Sequence, residues 1–432
     1  MTYINKKILI FGFGVTGQSA WNYLSKRKKT NLYVYDDHLD YKTKPNLVKF
    51  NIEYIQKLDY VIVSPGIPFI HPLIKKITNQ YHNVEILSDI DLFFLLNKTK
   101  EFIGVTGTNG KSTVVSLINH LLLNLNKKST VCGNIGVPIF DLMGKDYDIF
   151  VIELSSYHLE IIKYLKLKIA LITNITPDHL ERHGNMYNYI KIKKRIIAIG
   201  EKVIINIDDK NLADEYGDNI YTISCKDILN NVMSYIDNTI YYNGTIIVND
   251  YNNEKRLSHI NILSSILSII CYTKKSNKDF IVKLLNLILS FKILPHRQEF
   301  VKKWNNILFI NDSKATNIEA TQNATEQYHN IILLMGGQLK AQSDLSILKF
   351  YNIKKIYLFG DAKDILFNFF KNKIDCQMVD SMKKALEDAI IFANNSNYTI
   401  LLSPACASFD QYKNFEERGD VFKSLIFQLI KL

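Results

Sequence analysis

A glycine-rich loop between a predicted strand and a predicted helix constrains the fold of this chain more than any other feature. The loop reads Gly107-Thr108-Asn109-Gly110-Lys111-Ser112-Thr113, after an apolar run at residues 101–106 and before a helical pattern that extends to about residue 125. Consecutive backbone N–H groups in such a loop bind phosphate, and the helix dipole favours the negative charge. We expect Lys111 to neutralise the β- and γ-phosphates of a nucleotide, and Ser112 or Thr113 to bind Mg²⁺. Val105 stands where the strict pattern has its first glycine, so a chance strand–helix turn is the alternative.

A second glycine pattern lies near the start of the sequence. Gly12, Gly14 and Gly17 follow an apolar run at residues 7–11, and Asp36 lies 19 residues after Gly17. This spacing matches the dinucleotide-binding fingerprint, in which the glycines bring a diphosphate to a helix N-terminus. NAD is one ligand that fits, and a nucleoside-diphosphate substrate is another. Two diphosphate sites in one chain favour ATP together with a nucleotide-activated substrate.

Strand and helix patterns alternate along the whole sequence, which is typical of α/β domains with parallel sheets. Tyr-rich sequence around Asn243-Gly244 predicts a hairpin, and helices are expected at residues 260–272 and 279–289. Pro295 and its neighbours are interpreted as a hinge. We predict an α/β fold of three domains: a Rossmann-like N-terminal domain (1–92), a central P-loop ATPase domain with a mostly parallel sheet (93–294) and a Rossmann-like C-terminal α/β domain (295–432).

Composition excludes several classes of protein. The chain of 432 residues is 47% apolar and 22% charged, which is ordinary for a globular protein. No apolar run reaches the ~18–20 residues that a membrane span needs, and five scattered cysteines fit a reducing compartment. The net charge of +11 comes mainly from lysine, since only six of the 53 basic residues are arginine. We therefore expect a soluble cytoplasmic protein that binds neither nucleic acid nor membrane.

Polar residues follow several of the predicted strands, at the sheet edge where α/β proteins bind ligands. Glu153 follows an apolar run at residues 149–152 and is suited to bind a metal ion, although a solvated loop glutamate is the alternative. His179 follows another strand and is a candidate ligand for a second cation, with a purely structural histidine as the alternative. Two further polar segments, at residues 311–317 and 403–409, predict a site for a small polar or anionic ligand.

Taken together, these motifs resemble those of the Mur ligases along the whole chain. They occur in the order of that family, namely Gly107 to Thr113, Asn134, Glu153-Leu154-Ser155-Ser156, Asp178-His179, His296-Arg297 and Asp312-Ser313-Lys314-Ala315-Thr316-Asn317. Mur ligases and folylpolyglutamate synthetases also lack the first P-loop glycine, which accounts for Val105. The segment at residues 403–419 is similar to the branch of the family that joins D-glutamate to UDP-N-acetylmuramoyl-L-alanine.

The resemblance implies an ATP-dependent ligase of peptidoglycan precursor synthesis that works through an acyl phosphate. It implies ATP and two Mg²⁺ ions in the central domain, the two small-molecule substrates just named, and a monomer. The implied catalytic residues are Lys111, Glu153, His179 and Lys193, with Ser112 and Glu153 on one metal ion and His179 and a carbamylated Lys193 on the other. The implied contacts are, for ATP, Gly107, Thr108, Asn109, Gly110, Lys111, Ser112, Thr113, Asn261, Arg297 and Asp312; for the UDP substrate, Gly14, Val15, Thr16, Gly17, Asp36, Ser64, Pro65, Gly66 and Asn134; and for D-glutamate, Lys314, Thr316, Lys340, Ser408 and Phe415.

Three positions depart from the family pattern. His158 stands where glutamine is usual, which is expected to alter a substrate contact. Asn261 remains from an adenine-contacting His-Asn-x-x-Asn pattern whose other positions have changed, and Gln338-Leu339 replaces Asp-Gly before Lys340. These departures keep a drifted, non-catalytic paralogue as an alternative. A folylpolyglutamate synthetase and an NAD-dependent dehydrogenase are the other two, although the former lacks a dinucleotide-type N-terminal domain and the latter leaves the P-loop unexplained.

Overall fold

The computed structural model describes residues 5–27, 31–40, 47–228, 232–251, 257–341, 343–394 and 396–430. They form two compact units. The first contains residues 1–175 and 179–291, and the second contains residues 176–178 and 292–432. Within the described residues there are three sheets, and most of their strand pairs are parallel. The α/β fold expected from the sequence is therefore confirmed, whereas the three-domain boundaries remain a prediction.

The first unit contains a small parallel sheet and a large mixed sheet. The small sheet has the order β2-β1-β3-β4, and the large one has the order β13-β12-β11-β10-β9-β8-β5-β7-β6. Their strands are β1 (Lys7–Phe11), β2 (Asn31–Tyr35), β3 (Tyr60–Val63), β4 (Glu85–Ser88), β5 (Glu101–Thr106), β6 (Ser129–Gly133), β7 (Ile149–Glu153), β8 (Leu167–Ile172), β9 (Gly200–Asn206), β10 (Ile220–Ser224), β11 (Val232–Ile236), β12 (Thr239–Tyr242) and β13 (Thr245–Val248). Strands β1 and β5, which precede the two glycine-rich loops, are both interior strands, so each loop begins at an interior strand of its sheet.

Helices of the first unit cover these sheets. They are α1 (Val15–Leu24), α2 (Pro72–Gln80), α3 (Asp89–Leu96), α4 (Lys111–Asn124), α5 (Ser156–Ile161), α6 (Leu180–His183), α7 (Met186–Lys194), α8 (His259–Thr273) and α9 (Lys278–Leu289), with 3₁₀ turns at Ile52–Lys57, Ile139–Leu142 and Ile197–Ile199. Fully buried phenylalanines of α3 and β7 pack edge-on, with the ring centroids of Phe93 and Phe150 5.0 Å apart. The Asp91 carboxylate accepts hydrogen bonds from the backbone N–H groups of Lys163, Tyr164 and Leu165, which fixes α3 against the large sheet.

The second unit is built on a six-stranded sheet in which only the edge strand is antiparallel. Its strands are β14 (Glu299–Trp304), β15 (Ile307–Asn311), β16 (Ile331–Gly336), β17 (Ile353–Phe359), β18 (Cys376–Met378) and β19 (Tyr398–Leu402), in the order β14-β15-β19-β16-β17-β18. Its helices are α10 (Ile318–Thr325), α11 (Lys363–Phe370), α12 (Met382–Ala393) and α13 (Phe415–Leu429), with a 3₁₀ turn at Leu345–Ile347. Strand β19 is the last strand of this sheet along the chain, yet it lies inside the sheet, where it pairs with both β15 and β16.

The hairpin predicted at Asn243-Gly244 is confirmed between β12 and β13. Both residues have positive φ, 50° and 73°, as a type I′ turn requires. Asp237 and Asn238, with φ of 47° and 59°, form an equivalent turn between β11 and β12 that the sequence analysis did not single out. No helix in the described part of the chain combines the length and apolarity needed to cross a membrane.

Candidate active site

The glycine-rich loop joins β5 to α4, as predicted. Gly107 has φ of +147° and Gly110 has φ of +84°, both in the region that favours glycine. The Lys111 ammonium donates to the carbonyl oxygens of Gly107 (2.9 Å) and Thr108 (2.7 Å), so it lies within the curve of the loop. Helix α4 begins at Lys111, and its first N–H groups are those that a phosphate would accept.

Asn174 and Thr173 hold this loop from the end of β8, a role that the sequence analysis did not assign. Asn109 N–H donates to Asn174 Oδ1 at 2.9 Å, and Thr108 N–H donates to the Asn174 carbonyl at 2.8 Å. The Thr173 hydroxyl donates to the Asn109 carbonyl at 2.6 Å. These three bonds fix the backbone of the loop before any ligand binds.

Glu153 is the last residue of β7, and its carboxylate is buried beside the loop, with 2% of the residue exposed. It accepts one hydrogen bond from the Ser112 hydroxyl and one from Asn134 Nδ2, the latter at 2.9 Å. Asn134 N–H also donates to the Glu153 carbonyl at 3.0 Å. Two of the predicted site residues, Ser112 and Asn134, therefore converge on the carboxylate of a third, Glu153.

Helix α7 presents Lys193 to the same loop. Lys193 is 1% exposed, and its Nζ donates to the Gly107 carbonyl at 2.6 Å. One turn earlier, the Tyr189 hydroxyl lies 3.1 Å from Thr108 Oγ1. Lys193 is therefore not part of a solvated basic helix face, because its side chain lies inside the unit.

His179 and His183 both pack against the ring of Tyr157. The Nδ1 atom of His179 is 3.0 Å from the Tyr157 hydroxyl. His179 is the N-cap residue of the short helix α6 and has a φ of +52°. Tyr157 also contacts the Arg182 guanidinium, 4.2 Å from the ring centroid, and the ring of His183, 5.9 Å away. His183 is buried and bonds Ser156 Oγ through Nε2 at 3.0 Å, and burial lowers the pKa of its imidazole.

His158, which departs from the family pattern, has a structural role at the start of α5. Ser155 caps α5 by accepting a hydrogen bond from His158 N–H at 3.2 Å, and Ser155 N–H donates back to His158 Nδ1 at 3.3 Å. This is a capping box in which histidine supplies the acceptor that glutamine or glutamate usually provides. Burial is the main cause that lowers the pKa of His158 to about 4, so the imidazole is neutral, as the acceptor role requires.

Asn261 lies at the start of α8 against the P-loop. A Cβ placed on Gly110 would be 2.6 Å from Asn261 Oδ1, so the amide packs directly on this glycine. Asn261, the one position of the adenine-contacting pattern that this sequence keeps, therefore contacts the predicted nucleotide loop. Ser264, one turn later in α8, is fully buried.

The N-terminal glycine pattern forms a tight turn between β1 and α1. A Cβ on Gly17 would lie 2.0 Å from the Gly12 carbonyl, so only glycine allows α1 to pack this closely on the turn. Asp36 Oδ2 accepts from Phe13 N–H at 2.6 Å, which joins the end of β2 to the turn. The Ser64 hydroxyl donates to the Gly12 carbonyl at 2.8 Å. Gly14 and Val15 are exposed at the helix N-terminus, whereas Thr16, Pro65 and Gly66 line the same edge of the sheet.

In the second unit, Asp312 follows β15 and is buried. Its carboxylate accepts from Ser403 Oγ at 2.8 Å and from Gln298 N–H at 3.1 Å. Burial raises its pKa to about 7, and the nearby Arg297 charge opposes that rise. The predicted pair Arg297 and Asp312 is thus brought together at the carboxyl end of the sheet.

The five residues predicted to bind D-glutamate all lie in the second unit. The Lys314 ammonium is 3.8 Å from the centroid of the Phe415 ring, and the Lys340 ammonium forms an ion pair with Asp178. Ser408 is buried, and its carbonyl accepts from Tyr412 N–H at 2.9 Å. Thr316 is half-buried in the loop that follows β15.

Arg418, in α13, is a residue that the sequence analysis did not assign to the site. It is fully buried and donates to the Ser313 hydroxyl (3.0 Å) and to the carbonyls of Ser313 (2.9 Å), Gly336 (3.3 Å), Cys406 (3.0 Å) and Ala407 (3.4 Å). Ser313 follows β15, Gly336 is the last residue of β16, and Cys406 and Ala407 follow β19, so one guanidinium joins the carboxyl ends of three strands. Burial lowers the pKa of Arg418 to about 10.

The donor set of Ser112 and Glu153 fits Mg²⁺. The described residues contain no cluster of three or more His, Cys, Asp or Glu side chains arranged to hold a metal ion. Mg²⁺ does not need such a cluster, because it binds through one or two protein oxygens and completes its shell with water and substrate phosphates. A hydroxyl and a carboxylate beside a phosphate loop are therefore sufficient protein ligands.

Family models match two segments of the chain. Residues 105–265 match the Mur ligase middle domain, and residues 6–87 match the MurD-like N-terminal domain of Mur ligases. The chain belongs to the Mur ligase family.

Several relatives match this chain along nearly its whole length, and they carry the name of one member of the family. A UDP-N-acetylmuramoylalanine–D-glutamate ligase of Rickettsia bellii is 37% identical, and the match covers 97% of each chain. The ligase of the same name from Wolbachia pipientis is 34% identical, with 97% of this chain and 96% of the relative covered. Among solved structures, UDP-N-acetylmuramate–alanine ligase of Thermotoga maritima has a TM-score of 0.61 at 18% identity, covering 98% of this chain and all of that one, which shows a shared fold.

Proposed function

We propose that this protein is an ATP-dependent ligase that joins D-glutamate to UDP-N-acetylmuramoyl-L-alanine. The observation that carries the proposal is the convergence of Lys111, Ser112, Glu153 and Lys193 on one phosphate loop, in a chain that matches D-glutamate ligases from end to end. The retention of these groups argues against a drifted, non-catalytic paralogue.

The N-terminal sheet favours the UDP substrate over the alternatives. Its glycine turn offers a diphosphate site, and residues 6–87 match a Mur ligase N-terminal domain. A folylpolyglutamate synthetase lacks such a domain. A dehydrogenase reading predicts NAD binding, which calorimetry with NAD tests directly.

The chemistry requires activation of a carboxylate. An amine does not displace oxide from a carboxylate at neutral pH, so the L-alanyl carboxylate first attacks the γ-phosphorus of ATP, which forms an acyl phosphate and releases ADP. The D-glutamate amine then attacks the acyl carbon, the tetrahedral adduct expels phosphate, and the nitrogen loses a proton. Lys111 and the loop N–H groups stabilise the charge that develops on the phosphoryl oxygens, which is positioning and electrostatic catalysis.

Two Mg²⁺ ions fit this scheme and would reduce the repulsion between carboxylate and phosphate. Ser112 and Glu153 would hold one ion, and His179 with a carbamylated Lys193 would hold the other. Asn134, which orients the Glu153 carboxylate, would lie next to the substrate acyl group.

The second unit would bind the incoming amino acid and part of the nucleotide. Lys314, Lys340 and Thr316 offer donors for the two carboxylates of D-glutamate, and Ser408 and Phe415 border the same loops. Arg297 and Asp312 would contact the nucleotide. Arg418 supports these groups through the loops that carry them.

The test is phosphate release from ATP in the presence of UDP-N-acetylmuramoyl-L-alanine, with D-glutamate compared with L-glutamate. We expect turnover with the D-isomer alone. Lys111→Ala should lower kcat by about 10²–10³-fold, the range for loss of one preorganised donor. Lys127→Ala, at an exposed position just beyond α4, is the matched control. No turnover with either isomer, in a protein that binds ATP, would refute the assigned substrates.

A further inference from the structure

Arg182 joins the predicted UDP-substrate loop to the large sheet of the first unit. The loop is the segment at residues 64–67, directly after β3. The guanidinium donates to three successive carbonyls of this segment, with Nη1 3.1 Å from the Gly66 oxygen and Nη2 3.3 Å and 3.0 Å from the oxygens of Pro65 and Ile67. These contacts span 115–117 positions in the sequence, so nothing local makes them.

The other face of Arg182 is held within the large sheet's own elements. Glu160 Oε2 accepts from Arg182 Nε at 3.1 Å and from Nη2 at 2.6 Å, and the two side chains are only 9% and 17% exposed. The guanidinium also lies over the Tyr157 ring, 4.2 Å from its centroid, and the Tyr157 hydroxyl contacts His179. The Arg182 guanidinium thus contacts residues 64–67 and also Tyr157, the residue whose hydroxyl contacts the proposed metal ligand His179.

We propose that Arg182 is a positioning residue that holds residues 64–67 in the conformation that binds the UDP part of the substrate. The inference rests on the proposed function. Three carbonyl dipoles that point to one place repel each other, and a planar fork of N–H donors faces all three at fixed angles, with the two Nη2 hydrogens shared among the Pro65, Ile67 and Glu160 oxygens. Lysine carries the same charge as a single point on a flexible stem and does not reproduce that geometry. A shift of about 1 Å in a substrate-positioning group costs on the order of 10²-fold in reaction rate.

The experiment compares Arg182→Lys with Arg195→Lys in the full chain. Arg195 is a matched control, since its guanidinium donates to the main-chain carbonyls of Glu160 (2.7 Å) and Ile162 (2.9 Å) rather than to the loop. Three quantities are measured for each variant: the affinity for UDP by calorimetry, the affinity for ADP, and amide hydrogen exchange in residues 64–71. The thermal midpoint is recorded in parallel.

We expect Arg182→Lys to weaken UDP binding by about 10–100-fold, to leave ADP binding unchanged and to accelerate exchange in residues 64–71. Arg195→Lys should change none of these. The proposal is overturned if Arg182→Lys exchanges like the wild type in this segment, or if it lowers the thermal midpoint and weakens UDP and ADP binding alike. If the wild-type protein does not bind UDP, the proposed substrate is wrong, and the exchange data alone decide whether Arg182 holds the loop.

Discussion

Replacement of Gly107 by alanine tests whether the phosphate loop is built as the structure describes. A Cβ at this position would lie 1.9 Å from Thr173 Oγ1 and 3.1 Å from the Asn174 carbonyl, at a φ of +147°. Alanine at such a φ costs about 1–3 kcal/mol. Overpacking against Thr173 adds about 1–3 kcal/mol, and loss of the Thr173 bond to the Asn109 carbonyl adds about 0.5–1.5 kcal/mol.

Gly107→Ala should therefore lower the free energy of unfolding by about 2.5–7.5 kcal/mol unless the loop moves, and a displaced loop loses ADP affinity instead. Replacing Thr173 by alanine separates the effect of overpacking from that of the unfavourable φ. In the double variant Gly107→Ala/Thr173→Ala, the loss should be smaller than the sum of the single losses by about 1–3 kcal/mol. Gly144→Ala is the matched control, because its φ is +76° but nothing lies within 4 Å of its added Cβ.

Urea unfolding of the wild type, Gly107→Ala, Thr173→Ala, the double variant and Gly144→Ala, with ADP titrations, provides the measurement. The reasoning is refuted if Gly107→Ala is no less stable than Gly144→Ala and binds ADP equally well. It is also refuted if the Gly107 and Thr173 losses add to within about 0.5 kcal/mol, which is the behaviour of sites that do not interact.

Three further predictions concern residues described above. Between pH 7 and pH 4, the free energy of unfolding of His158→Gln should rise by about 3 kcal/mol relative to that of the wild type. The folded pKa of His158 is lowered to about 4, so the wild type loses stability as the pH falls from 6.5, and the variant does not. Urea unfolding of both proteins at both pH values measures this difference. Tyr157→Phe should raise the Mg²⁺ concentration for half-maximal activity by about 10-fold, since it removes the hydroxyl that contacts His179. Arg418→Lys, which keeps the charge but loses at least two bonds to the loops, should lower the free energy of unfolding of the second unit by about 3 kcal/mol or more, as measured by urea unfolding.

Each of these predictions has an outcome that contradicts it. Equal pH profiles for the wild type and His158→Gln would mean that the imidazole is not buried as a neutral acceptor. An unchanged Mg²⁺ requirement in Tyr157→Phe would mean that the Tyr157 hydroxyl does not support the proposed metal ligand His179. A fully stable Arg418→Lys would show that the loops do not depend on the guanidinium.

The elements that the sequence predicted best are those with local causes. The strand before Gly107 and the helix after it follow from an apolar run, a glycine turn and a helical period within about 25 residues. The Asn243-Gly244 hairpin was predictable because positive φ at two successive residues is a property of the residues themselves.

Residues whose roles come from distant partners were not predictable in this way. Arg182 meets its loop across more than a hundred positions, and Arg418 meets Ser313 across 105. No spacing rule relates such residues. His158 illustrates the opposite limit, since its capping partner is three residues away and the serine–x–x–acceptor pattern could have indicated the role before the structure did.

The central position of β19 has a consequence for how the second unit is made. Strands β15 and β16 precede β19 in the chain, yet they reach their places only when β19 has come between them. During synthesis, both therefore present an unpaired, strongly apolar edge, the kind of surface that chaperones bind and that nucleates aggregation. Arg418 cannot join Ser313 to the Cys406 and Ala407 carbonyls until that insertion occurs. The proposed D-glutamate binding should therefore emerge in a refolding experiment together with the closure of this sheet, and later than the hairpin contacts of the first unit.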